Sequence, residues 1–138
     1  MYQKIMVPVD LRHTAKMGKA LRTAGDLARL YGAAVCYVGV TGPEPSNIGH
    51  NPDEFAARLD RFAKEEATKG GHSGTSHMVI SQDPTVELDR ALQGAVDTVG
   101  ADLVVMATHE PNVSDFIWAS HGGTLALHSH ATVMLVRG

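Results

Sequence analysis

Lys4-Ile5-Met6-Val7-Pro8-Val9-Asp10 and Ala33-Ala34-Val35-Cys36-Tyr37-Val38-Gly39-Val40, with one helix-period segment between them, decide how this chain folds. The first run is rich in apolar and β-branched residues from Lys4 to Val9 and ends at Asp10, the pattern of a buried strand. The second is nearly continuous in apolar character, as a strand covered on both faces requires. Between them Thr14 can cap a helix running to about Tyr31. Ala20, Leu21, Ala24, Leu27, Ala28 and Tyr31 fall at helical spacing, and Gly32 stands where a helix stop belongs. Strand, helix, strand in this order predicts two parallel strands joined by a right-handed crossover.

The same alternation continues to the C-terminus. Gly42-Pro43-Glu44-Pro45-Ser46-Asn47 is a loop by its breakers. Asn51-Pro52-Asp53-Glu54 then carries three helix-start signals: an N-cap asparagine, a proline at the first helical position and a glutamate completing a capping box. That helix should bury Phe55, Leu59, Phe62 and Ala63 and stop at Gly70-Gly71. His77 to Ser81 reads as a third strand. Asp83-Pro84 should start another helix, with Val86, Leu88, Leu92 and Val96 as its apolar residues. Leu103 to Ala107 reads as a fourth strand, Ser120 to about Ser129 as a short helix, and Thr132 to Val136 as a closing strand. The expected fold is α/β: one open, doubly wound, five-stranded, mainly parallel sheet with helices on both faces, in a single domain over residues 1–138.

Composition narrows the function classes. The chain has 138 residues, a formal net charge of −3 and no basic block, so a positive nucleic-acid-binding face is not expected. The one cysteine, Cys36, sits in an apolar run and reads as a buried strand residue. Met1 leads straight into the first strand without signal-peptide architecture, and no apolar stretch reaches membrane-spanning length. The expectation is a soluble, cytoplasmic protein with no membrane insertion.

Open parallel sheets bind ligands beyond the carboxyl ends of their strands, where the strand order reverses. Two strand ends offer polar side chains there, Asp10 and Thr108-His109. A third feature is Ala119-Ser120-His121-Gly122-Gly123-Thr124, in which Ser120 can cap the last helix and leave the amides of the next residues as donors for an anion. Eight histidines invite a metal reading, above all His121, His128 and His130, but three or four converging ligands with support around them are not apparent, and no metal is expected. No nucleophile, base and orienting acid stand at a recognisable spacing, so no catalytic residue is assigned.

The tail carries a resemblance. Val104-Val105-Met106-Ala107-Thr108-His109-Glu110-Pro111, then Ala119-Ser120, then His128-Ser129-His130-Ala131-Thr132-Val133-Met134-Leu135-Val136-Arg137 resembles the C-terminal signature of universal stress proteins. Ile5-Met6-Val7-Pro8-Val9-Asp10 resembles the family's first strand, and Asp83-Pro84 its loop before the third helix. The nucleotide-binding branch carries Gly, two residues, Gly, nine residues, Gly, then Ser or Thr. Here Ala107, Glu110 and Ala119 stand at the glycine positions, eight residues separate Glu110 from Ala119, and Ser120 keeps the hydroxyl. The shorter spacing is similar to the F/G-type subgroup, which binds ATP or AMP.

The resemblance implies roles. Pro8, Val9 and Asp10 would line the ribose and adenine end of ATP or AMP, bound with or without Mg²⁺. Val40 would offer backbone contacts to adenine. Met106 and Ala107 would pass beneath the ribose and phosphates, with Thr108 and His109 at the same strand end. Ser120, His121 and Gly122 would meet the phosphates behind Ala119. The methyl of Ala119 and the carboxylate of Glu110 work against tight phosphate binding. The resemblance further implies a homodimer paired through Thr132 to Val136, an unidentified protein partner, a part in stress response and at most slow ATP hydrolysis. A second reading stays open: a dimeric stress-response interaction protein whose degenerate site binds no nucleotide.

Overall fold

β1 (Lys4–Pro8) buries Ile5, Met6, Val7 and Pro8, which only a strand at the centre of a sheet covered on both sides can do. The computed structural model describes residues 1–45, 49, 51–84, 86–108 and 122–138, with no side-chain description at 122–124. After β1 come a short 3₁₀ turn (Thr14–Met17), α1 (Gly18–Tyr31), β2 (Ala34–Thr41), α2 (Pro52–Gly70), β3 (Gly74–Ile80), α3 (Leu88–Val99), β4 (Leu103–Thr108), α4 (Gly122–His128) and β5 (Thr132–Arg137). The strands form one sheet in the order β3-β2-β1-β4-β5, and every pairing is parallel.

Strand order and handedness place the helices. The steps β1 to β2 to β3 run one way across the sheet, and the steps to β4 and β5 run the other. Right-handed crossovers therefore put α1 and α2 on one face and α3 and α4 on the other. The contacts agree: α1 touches α2 and crosses β1, β4 and β5, α2 lies on β2 and β3, and α3 meets α4. The expected doubly wound α/β sheet is the one that forms.

Local signals explain most element ends. Gly32 and Gly71 hold φ values of 63° and 68° in the left-handed region and stop α1 and α2. Asn51 accepts the Glu54 N–H at 2.9 Å, with Pro52 at the start of α2. Gly39 has a different reason. A Cβ there would stand 2.8 Å from the Phe55 ring, so its absence lets α2 lie close on β2.

Four expectations are corrected. Thr14 does not cap α1: the chain turns on Asp10, whose carbonyl accepts the His13 N–H at 2.9 Å, then runs through the 3₁₀ turn before the α-helix begins at Gly18. β3 begins at Gly74 and not at His77, because Gly74, Thr75 and Ser76 pair in register with Val35, Cys36 and Tyr37 although they lack an apolar pattern. The helix expected from Asp83-Pro84 begins at Leu88. Asp83 and Glu87 close a turn first, and Val86, read as one of that helix's apolar residues, precedes it and is 78% exposed. In α2, Ala63, Phe55 and Leu59 are buried while Phe62 is half-buried.

Candidate functional site at the sheet switch point

The order β3-β2-β1-β4-β5 reverses between β1 and β4, and this is where an open sheet offers a crevice. The backbone of β1 shows why it opens there. Successive residues of a strand aim their peptide groups at opposite neighbours. Gln3 O accepts from Ala34 and Val9 N–H donates to Val38, both towards β2, whereas Lys4 O accepts from Asp102 on the β4 side. Residue 8 therefore faces β4, and as proline it has no N–H to give. The register to β4 spans Ile5↔Leu103 and Met6↔Val104, while that to β2 runs on to Pro8↔Val38. The missing donor falls at the carboxyl end of β1, on the side of the switch.

Asp10 lies just beyond this point and is 6% exposed. A buried carboxylate needs donors, and its own turn supplies them. Oδ1 accepts the Arg12 N–H at 3.0 Å and Arg12 Nε–H at 3.3 Å. Oδ2 accepts His13 Nδ1–H at 2.9 Å, the ring nitrogen donating because an ionised carboxylate can only accept. Burial pushes the Asp10 carboxyl up, but the His13 hydrogen bond, the Arg12 amide and the Arg12 guanidinium outweigh it and hold it below its ordinary value. Asp10 is thus ionised at neutral pH.

The other candidate residues distribute around this centre. Pro8 ends β1 with Val9 and Asp10 directly after it, Met106, Ala107 and Thr108 end the neighbouring β4, and Val40 lies near the end of β2 on the other side of β1. Val9, Met106 and Ala107 are buried, while Val40 and Thr108 are half-buried. Gly122 opens α4. His109, Ala119, Ser120 and His121 lie outside the described residues, as do Glu110 and the segment Asn112 to Trp118. Arg12 and His13 were not singled out from sequence. A histidine three residues after a strand-end aspartate, close enough to share its turn, is the signal that could have found them.

Elsewhere the structure offers less chemistry. A groove of about 760 Å³ between α1 and α2 is walled by Arg29 paired with Asp26 and by Lys69 paired with Glu66, a seam between two surface helices. Burial pushes the Cys36 thiol up, which makes it a poor nucleophile. Among the described residues no group of three or more His, Cys, Asp or Glu side chains could hold a metal ion, and no helix is long and apolar enough to cross a membrane.

Comparison with known proteins agrees with this architecture. The family model of the universal stress protein family matches residues 1–137. Universal stress protein G of Shigella flexneri is 27% identical over 148 residues, spanning 99% of this chain and all of the relative. A universal stress protein solved in complex with cAMP superposes with a TM-score of 0.69 at 21% identity, covering 98% of this chain and 97% of that one. The universal stress protein from Archaeoglobus fulgidus in complex with dAMP gives a TM-score of 0.64 at 23% identity, covering 97% of both chains. With the whole sheet, its strand order and nearly every residue accounted for by one family, the chain belongs to the universal stress proteins and is similar to their G type.

Proposed function

We propose that this chain is a regulatory module that holds an adenine nucleotide at the switch point between β1 and β4 and acts through a protein partner. The observation that carries this reading is the buried, ionised Asp10 beside the β1 end where Pro8 interrupts the ladder to β4. A carboxylate at such a strand end is placed to accept ribose hydroxyls. Two neighbours of the same fold, named for complexes with cAMP and dAMP, support an adenosine phosphate as the ligand. On this reading Pro8, Val9, Asp10 and Val40 take the ribose and adenine end. Met106, Ala107, Thr108 and His109 lie beneath the ribose and phosphates. Ala119, Ser120, His121 and Gly122 meet the phosphates, with ATP or AMP as ligand and Mg²⁺ as an optional companion.

Calorimetric titration with AMP and with ATP, each with and without Mg²⁺, tests it. Saturable binding is expected, weakened about tenfold or more by Asp10→Ala and by Ser120→Ala, the loss of one charge-assisted hydrogen bond each. Absence of both heat and thermal stabilisation at millimolar nucleotide would sink the reading.

The other end of the sheet supports a second reading, a homodimer joined through the last strand. Among the described residues β5 pairs only with β4, which leaves the peptide groups of its outer edge without a strand partner there. Met134 and Leu135 on it are 37% and 49% exposed. Pairing with a second copy would satisfy the edge about a two-fold axis. Sedimentation equilibrium tests it: a dimer for the native chain and a monomer for Leu135→Lys are expected. A monomeric native chain would remove the dimer.

A further inference from the structure

The carboxylate of Asp10 is nearly full before any ligand arrives. A carboxylate offers about four acceptor positions. Among the described residues Arg12 N–H, Arg12 Nε–H and His13 Nδ1–H occupy three of them, at 3.0, 3.3 and 2.9 Å, on a side chain only 4% exposed. A ribose presents two adjacent hydroxyls, and a free carboxylate at a strand end could accept from both. We infer that Arg12 and His13 set the ligand selectivity of this site: they leave Asp10 one acceptor position, so it reads a single ribose hydroxyl and not the vicinal pair. This inference rests on the nucleotide reading above.

The energetic consequence differs from that of an empty carboxylate. A site whose buried acceptor is left bare by a deoxy ligand rejects that ligand strongly. Here the carboxylate keeps its three internal donors whatever the ligand carries, so a missing hydroxyl costs one hydrogen bond and strands no charge. The site should therefore tolerate loss of one of the two hydroxyls.

The test measures the affinity of the full chain for AMP, 2′-deoxy-AMP, 3′-deoxy-AMP and 2′,3′-dideoxy-AMP by calorimetry. At most one of the two single deletions should weaken binding by about tenfold, the other by less than about threefold, and the double deletion by about tenfold. His13→Ala frees Oδ2, and Arg12→Ala frees one position on Oδ1 without removing the main-chain donor. In whichever variant remains folded by thermal melt, both single deletions should then cost affinity. Two results on the native chain overturn the inference while leaving the nucleotide reading in place: a tenfold loss for each single deletion, or no loss for the double deletion. A chain that binds no AMP overturns both.

Discussion

The junctions after β1 and after β3 are built from the same parts and end in different places. After β1, Asp10 O accepts the His13 N–H and Asp10 Oδ1 accepts the Arg12 N–H. After β3, Asp83 O accepts the Glu87 N–H at 2.9 Å and Asp83 Oδ1 accepts the Val86 N–H at 3.3 Å. Glu87 Oε1 returns to the Asp83 N–H at 3.0 Å and the Ser81 hydroxyl at 2.8 Å. Each turn uses an aspartate to gather loose peptide donors before a helix. The first sits between two flanking strands and loses its water; the second hangs from an edge strand and keeps it. Asp10 therefore recruits side-chain donors from Arg12 and His13, whereas Asp83 does not need them. Position in the sheet converts an ordinary turn residue into a fixed, buried charge.

That contrast can be broken at either junction. The largest effect is expected where the second turn delivers the chain to the core. Leu88 is fully buried, so Leu88→Ala should cost about 2–5 kcal/mol in urea unfolding. Next comes Asp10→Ala, which removes a buried acceptor of three hydrogen bonds and opens the turn that it closes, while the half-exposed Arg12 and His13 side chains can turn to water; about 1.5–3 kcal/mol is expected by the same measurement. A loss near zero would mean the buried charge contributes no stability. Asp83→Ala, its exposed counterpart, should cost about 0.5–1 kcal/mol. Val86→Ala should stay within about 0.5 kcal/mol, because the side chain lies in solvent.

A pH series sharpens the same comparison. Asp10 is held below its ordinary value of 3.8, so the unfolded chain takes up the proton first as pH falls. Its contribution is complete above that value and is lost as pH drops through the lowered folded value. Denaturation midpoints followed from about pH 5 to pH 2 should fall less steeply in Asp10→Asn than in the native chain. Glu87 is also lowered, by the Asp83 amide and then the Ser81 hydroxyl, but it is half-buried where Asp10 is buried, and Glu87→Gln should alter the acid limb less. Equal flattening by both variants would erase the distinction between the junctions.

Legibility in the sequence followed the range of each signal. Asn51 and Pro52 start α2 as read, because a cap depends on its next three residues. The Asp83-Pro84 start failed for an equally local reason: the Glu87 carboxylate folds back on the turn and delays the helix by one turn. Asp10, Pro8 and Val9 were legible as a strand end, and so were Met106 to Thr108. The roles of Arg12 and His13 were not: the spacing of His13 from Asp10 was the local signal, but the burial that makes Asp10 need these donors is set by its flanking strands.

By itself the sequence determined the alternation of strands and helices, the parallel class of the sheet and most helix stops. Those depend on side-chain period, caps and glycine conformations, which act within a few residues. Only the tertiary structure decided the order β3-β2-β1-β4-β5, and with it the switch between β1 and β4, the burial of Asp10 and the open edge of β5. Strand order is set by how whole helices pack across the sheet, a long-range competition among faces that are all apolar and locally alike.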